Sequence, residues 1–172
     1  MIETMDCPFS IDIKENILCW LETQEFHTTA GGSAYKTNDY TEVYIPEIKK
    51  LFDWIESISI DVANKFALFT NSLYNSETRI DTKKFKIDTY WALTYPLNSW
   101  IEPHNHFPHA LSFTYYINAP QQSSPFIIKD QKHWIKEGQL VIFPSFLTHW
   151  VPPAIVNGRT SISGDIVYLS RF

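Results

Sequence analysis

The sequence predicts a mainly β domain with N-terminal helices, an α+β arrangement in which a jelly-roll core is buttressed by two helices on one outer face. Three observations carry this. After residue 84 the chain is written in seven short β-branched and aromatic runs separated by turn residues. Before residue 84 two stretches repeat apolar residues at helical spacing. With only five glycines, scattered prolines and no repeat or low-complexity tract, nothing divides the 172 residues into separate units. One domain is therefore expected over residues 1–172, with a helical support at 1–83 and the β core at 84–172.

The first helix is read from Ile13, Ile17, Leu18 and Leu21, and the second from Ile48, Leu51, Phe52, Ile55, Ile58, Val62 and Phe66, with Pro46 suited to its first turn. Between them Thr28 to Tyr40, containing Gly31 and Gly32, reads as a flexible loop able to cover a site. The strands are placed at Phe85 to Tyr95, Trp100 to Phe107, Ala110 to Ile117, Phe126 to Lys129, Gln139 to Phe143, Thr148 to Val151 and Thr160 to Leu169.

Composition narrows the function. At 44% apolar residues the chain can bury roughly two-thirds of its extended surface, which excludes disorder of the whole. No apolar run reaches the roughly 18 residues of a membrane span, and residues 1–6 carry neither the basic segment nor the apolar stretch of a secretory leader, so a cytoplasmic protein without membrane partners is expected. Cys7 and Cys19 are too few for a disulfide scaffold or a cysteine-rich zinc site, which leaves His and carboxylates as ligands for any metal. A net charge of −5 argues against a nucleic-acid partner. Oligomeric state is not written in the sequence.

The chemistry concentrates in His104, His106, His149 and Arg159, with Gly138, Pro144 and Ser161 beside them. Residues two apart on a strand point the same way, so His104 and His106 can converge on one ion. An isolated pair of this kind is more often one core and one surface histidine. His149, which follows an apolar strand and a turn, changes that reading: a jelly roll brings distant strands together, and a third imidazole completes a face that leaves metal positions open. Arg159 and Ser161 share a face at the start of the last strand, where a guanidinium fork and a hydroxyl make a carboxylate receptor. Of the other histidines, His109 is three residues past His106 and is expected off its face, exposed or contacting substrate, and His133 is expected in an exposed turn. Trp91, Trp100 and Trp150 flank the site in sequence, as packing or as lining of its mouth.

The order HxH, then G(x)5P(x)4H, then R-x-S ten residues on resembles the non-haem Fe(II), 2-oxoglutarate-dependent oxygenases, whose fold is the double-stranded β-helix. His104 to Tyr116 and Gly138 to Ser163 are most similar to an uncharacterised bacterial and phage subgroup that reads H-x-H-P, S-G-x-Y-Y, G-x-L-V-x-F-P-S-x-x-x-H-x-V-x-P and R-x-S-I-S. The chain supplies His104-Asn-His106-Phe-Pro108, Ser112-Phe-Thr-Tyr115-Tyr116, Gly138 to Ser145, His149-Trp-Val-Pro152 and Arg159-Thr-Ser-Ile-Ser163. The resemblance implies that His104, His106 and His149 bind Fe(II), and that Arg159 pairs with the far carboxylate of 2-oxoglutarate with Ser161 donating to it. One of Tyr115 and Tyr116 would face the pocket. It further implies an O2-consuming hydroxylase that decarboxylates 2-oxoglutarate to succinate while oxidising a small-molecule or peptide substrate.

The departure is His106, where most enzymes of the wider superfamily have Asp or Glu. Three neutral imidazoles leave Fe(II) with both positive charges, where a carboxylate would leave one. Glu102, on the face of His104 if the strand continues, is a candidate for the displaced carboxylate and otherwise a surface residue. Two other readings stand beside this one. A cupin-like three-His dioxygenase or isomerase without 2-oxoglutarate would share HxH and G(x)5P, but lacks a use for Arg159, expects a Glu shortly after HxH and expects Gly where Phe146 stands. A non-catalytic jelly-roll binding module would bind no metal.

Overall fold

A computed structural model describes residues 2–66, 68 and 85–169; the expected boundary between residues 83 and 84 lies outside the described residues. In chain order the elements are β1 (Glu3–Asp6), α1 (Ser10–Glu22), β2 (His27–Thr28), β3 (Tyr35–Lys36), α2 (Pro46–Lys65), β4 (Phe85–Tyr95), β5 (Ile101–His104), β6 (Leu111–Asn118), β7 (Phe126–Ile128), β8 (Gln131–His133), β9 (Gln139–Pro144), β10 (His149–Val151) and β11 (Arg159–Tyr168). All seven predicted strands form. The N-terminal half is less purely helical than its spacing suggests, because β1, β2 and β3 come from it.

The strands make two antiparallel sheets, one of seven strands in the order β1-β9-β6-β11-β4-β3-β2 and one of four in the order β5-β10-β7-β8. The helices lie on the outer face of the larger sheet, so the molecule has three layers and two cores. Strand alternation sorts side chains between the cores. On β4, Tyr90 and Ala92 face the helices while Trp91, Leu93 and Tyr95 face the smaller sheet; on β9, Leu140 and Ile142 face outward and Val141 and Phe143 inward. β6 and β11 are covered on both faces and are buried along nearly their whole length.

Each helix meets the sheet with its apolar stripe. α1 buries Ile13, Ile17 and Leu21 at i, i+4 and i+8, and α2 buries Ile48, Leu51, Phe52 and Ile55 in the same rhythm. Pro46 stands in the first turn of α2, where its missing N–H costs no hydrogen bond. Leu18, Ile58 and Phe66, which the spacing also assigns to the stripe, sit at its edge and are only partly buried.

The Thr28 to Tyr40 segment is a strap rather than a free loop. β3 pairs with β4, and at the other end the amide of Glu102 donates to the Gly31 carbonyl at 2.8 Å and the amide of Ser33 donates to the Trp100 carbonyl at 2.9 Å. The segment thereby ties an edge of each sheet to the other. Gly32 permits the approach, since a Cβ there would lie 2.2 Å from the Trp100 carbonyl oxygen.

Docking of the helices on the sheet is testable at Ile55, which is fully buried. Ile55→Ala should cost about 2–5 kcal/mol in urea unfolding, whereas Ile11→Ala, on a residue 89% exposed, should stay within about 0.5 kcal/mol of the parent.

Candidate metal centre

The inner faces of β6 and β11 set the site. Alternation puts Arg159, Ser161, Ser163 and Asp165 of β11 and Ser112 and Thr114 of β6 between the sheets, and all six are buried. A run of polar groups where apolar ones would pack is costly unless each is hydrogen-bonded; Thr114 bonds Ser163 and Ser112 bonds Asp165, while Arg159 Nε and Ser161 Oγ are without partners. They adjoin a cleft of about 510 Å³, of the size that takes a small ligand. Of the six, Ser161 alone is not among the residues lining it.

His104, His106 and His149 also line the cleft, and one nitrogen from each lies within 4.8 Å of the others. The register explains two of them: His149 on β10 is directly opposite His104 on β5. His106 arrives differently from the expectation. β5 ends at His104, so the i, i+2 rule of a strand does not place it; the chain turns, the His106 amide donates to the Ser145 carbonyl at 2.8 Å, and the His109 amide donates to the His106 carbonyl at 3.1 Å.

The ring orientations follow from the partners of Nδ1. In His104 this nitrogen is 2.8 Å from the Glu102 carbonyl oxygen, in His149 it is 3.0 Å from the Leu147 carbonyl oxygen, and in His106 it is 2.9 Å from Asp165 Oδ2. Each partner is an acceptor, so Nδ1 is the nitrogen that donates in each ring and Nε2 is the one left to face a metal. The His106 Nε2 is buried without a hydrogen-bond partner. Three such nitrogens, held by acceptors behind them, are the donor set a divalent metal requires. Burial, followed by the charge of neighbouring His104, pushes the His149 imidazole down to about 3, and burial also lowers His104, which keeps both rings neutral and ready to ligate at neutral pH.

Arg159 is 2% exposed, and no carboxylate pairs with it among the described residues. One terminal nitrogen donates to the Ser124 carbonyl at 3.0 Å and the other to the Tyr116 hydroxyl at 3.3 Å, while Nε has no partner. The guanidinium lies over the rings of Tyr95 and Tyr116 at 4.5 and 5.0 Å. Ser161, two residues on, has a buried hydroxyl that is also without a partner. Buried cation and idle hydroxyl together are suited to an anion.

The tyrosine pair resolves by alternation. Tyr116 faces the inner core and Arg159, whereas Tyr115 faces the helices beside Cys7, and neither is among the residues lining the cleft. Trp91 and Trp150 line the cleft and Trp100 does not. Trp91 stacks on His106 with ring centroids 5.3 Å apart. His109 is half-buried and lines the cleft. His133 lies on β8, partly buried rather than in an exposed turn, and is outside the cleft. Glu102 is exposed at the rim, with only its backbone carbonyl touching His104. The buried carboxylate behind the histidines is Asp165, which the sequence reading missed. Alternation from Arg159 through Ser161 and Ser163 puts it on the same face.

No family model matches the sequence, and no curated protein matches it. Among solved structures, the chain is similar in fold to a Pseudomonas putida prolyl-4-hydroxylase, with a TM-score of 0.69 at 13% identity over 98% of this chain and 93% of that one. A viral collagen prolyl hydroxylase from Paramecium bursaria Chlorella virus-1, solved with 2-oxoglutarate, gives 0.62 at 10% identity over 98% and 96%. HygX from Streptomyces hygroscopicus, solved with nickel, 2-oxoglutarate and hygromycin B, gives 0.62 at 9% identity over 97% and 82%. The chain thus has the double-stranded β-helix fold of the 2-oxoglutarate oxygenases over nearly its whole length.

The lowered imidazoles have a consequence for stability. Unfolded histidine titrates near 6.5 and His149 in the fold near 3. Between those values the unfolded chain binds the extra proton, so the fold loses stability as the pH drops through that window. The urea midpoint of the metal-free protein should fall on acidification from pH 7 to pH 4, and His149→Gln should flatten that dependence; an unchanged slope would contradict the assignment.

Proposed function

We propose that this protein is an Fe(II)- and 2-oxoglutarate-dependent dioxygenase that hydroxylates a small-molecule or peptide substrate. The observation that carries the reading is Arg159: a buried, permanently charged fork without a carboxylate partner among the described residues, in the same cleft as three inward imidazole lone pairs. Metal and dicarboxylate together satisfy both. A cupin-like metal site would explain the imidazoles and leave Arg159 without a task.

His104, His106 and His149 would hold the iron through Nε2, and as only three protein ligands they leave positions for the cosubstrate and dioxygen. When bound, iron with 2-oxoglutarate supplies the oxidation, in which one O2 and one 2-oxoglutarate yield succinate, carbon dioxide and a C–H bond converted to C–OH. The chain's part is placement. Arg159 grips the carboxylate remote from the metal, Ser161 donates to it, and the Tyr95 and Tyr116 rings keep the guanidinium in position. Leu93, Phe126, Phe143 and Val151 wall the cleft with apolar surface and limit water there.

The substrate enters past Thr29 to Gly31, Lys36, Asp39 and Trp150, all of which line the cleft. HygX, solved with hygromycin B, and a Trichoplax adhaerens prolyl hydroxylase, solved with a hypoxia inducible factor peptide fragment, give one small-molecule and one peptide complex on this fold. Cys7 and Cys19 are both free, which suits the reducing cytoplasm.

Incubated aerobically with Fe(II) and 2-oxoglutarate, the protein should release succinate, detectable by proton NMR even without added substrate. His149→Ala should abolish metal binding and succinate together. Arg159→Ala should keep the metal and lose turnover at cosubstrate concentrations that saturate the parent. An Arg159→Ala protein that turned over 2-oxoglutarate normally would overturn the proposal.

A further inference from the structure

Behind His106, on the side away from its ligating nitrogen, stands a carboxylate that no Lys or Arg among the described residues pairs with. Asp165 is buried on β11, with Oδ2 2.9 Å from His106 Nδ1 and Oδ1 accepting from Ser112 Oγ at 2.6 Å. Ser112 Oγ is 2.8 Å from Ser145 Oγ, and the Ser145 carbonyl takes the His106 amide, so the same network fixes both the backbone and the ring of His106. Trp91 stacks on the ring with an interplanar angle of 12°. Among the described residues no Lys or Arg pairs with Asp165; the titratable groups facing it are His106 and, at 3.8 Å, His109. A buried carboxylate hydrogen-bonded only to a hydroxyl and an imidazole lacks its counter-charge.

We propose that Asp165 is the charge partner of the metal centre, a positioning residue that acts on the metal through His106. The inference rests on the reading of His104, His106 and His149 as the iron ligands. Asp165 holds His106 in the tautomer whose Nε2 ligates, and it brings to the site, across one imidazole, the negative charge that a carboxylate at position 106 would bring directly. A carboxylate at 106 as well would add a second negative charge near Asp165, and like charges oppose each other's ionisation. The carboxylate also favours Fe(III) over Fe(II) relative to three imidazoles with nothing behind them, which moves the potential down.

The test compares the parent with Asp165→Asn, which removes the charge, keeps one acceptor oxygen for His106 Nδ1 and turns an NH2 donor toward Ser112 Oγ, which can accept it. Anaerobic titration with Fe(II), and with Co(II) as a spectroscopic substitute, should give an affinity ten- to a hundredfold lower for the variant, and its Fe(III)/Fe(II) potential should rise. Equal affinity and equal potential would overturn the inference, and weaker binding with an unchanged potential would overturn its charge component. A parent that binds neither metal would instead overturn the underlying iron reading. Should Asp165→Asn lose its thermal unfolding transition, the Zn(II)-loaded parent supplies the answer by NMR. The His106 Nδ1 proton, bonded to a carboxylate, should resonate further downfield than those of His104 and His149, which are bonded to carbonyls; three equivalent shifts would overturn the proposal.

Discussion

Arg159 is the constraint to which the rest of the site answers. A guanidinium cannot shed its proton, and enclosing one away from water costs several kcal/mol unless an anion or aligned dipoles offset the cost. In this chain a carbonyl oxygen, a phenol and two aromatic faces offset it in part, and Nε is left without a partner. Two covered strands, β6 and β11, then carry hydroxyls where a sandwich core would carry valines, and the space between the sheets stays open as a cleft. The helices on the far side offset this, because the outer core formed by α1, α2 and the back of the large sheet is mostly apolar, with Ser59 and the hydroxyls of Tyr90 and Tyr115 among the exceptions. Stability is concentrated in one core and chemistry in the other.

The metal centre is governed by a related economy of charge. Three neutral imidazoles are permissive ligands, but they do nothing to offset a dication. The acceptors behind them differ: two backbone carbonyls behind His104 and His149, and a carboxylate behind His106. The position at which the chain departs from the HxD or HxE pattern is thus the position with an acid one hydrogen bond away. His106 and Asp165 lie on a turn and on β11, and the Ser112 and Ser145 hydroxyls between them lie on or beside β6 and β9, so four segments converge on one ligand.

Much of this was legible in the sequence where the signal was periodic. The 2-residue alternation of β-branched and aromatic residues located β4, β6, β9 and β11, and the 3.6-residue rhythm located both helices. Elements without such a signal escaped. β1 and β8 are short and polar, and β2 and β3 are two residues each, formed because the strap from Thr28 to Tyr40 has a neighbour to pair with at each end. His106 was placed beside the other ligands by assuming a strand that ends at His104; its position is in fact set by a turn and by the Ser145 carbonyl, contacts that no spacing encodes. Asp165 was within reach, since Arg159, Ser161, Ser163 and Asp165 alternate without interruption, but a carboxylate 59 residues from its histidine has no local mark of its role. The direction of Tyr115 and Tyr116 depended on the register of β6 in the same way.

If three imidazoles and Arg159 receive one metal and one dicarboxylate in a single cleft, anaerobic titration of the Fe(II)-loaded protein with 2-oxoglutarate gives the weak visible charge-transfer band that chelation of iron by the keto acid produces. The band should appear with the parent and should require a much higher 2-oxoglutarate concentration in Arg159→Ala, whose iron content is unchanged. Iron binding without any band in the parent would contradict the account.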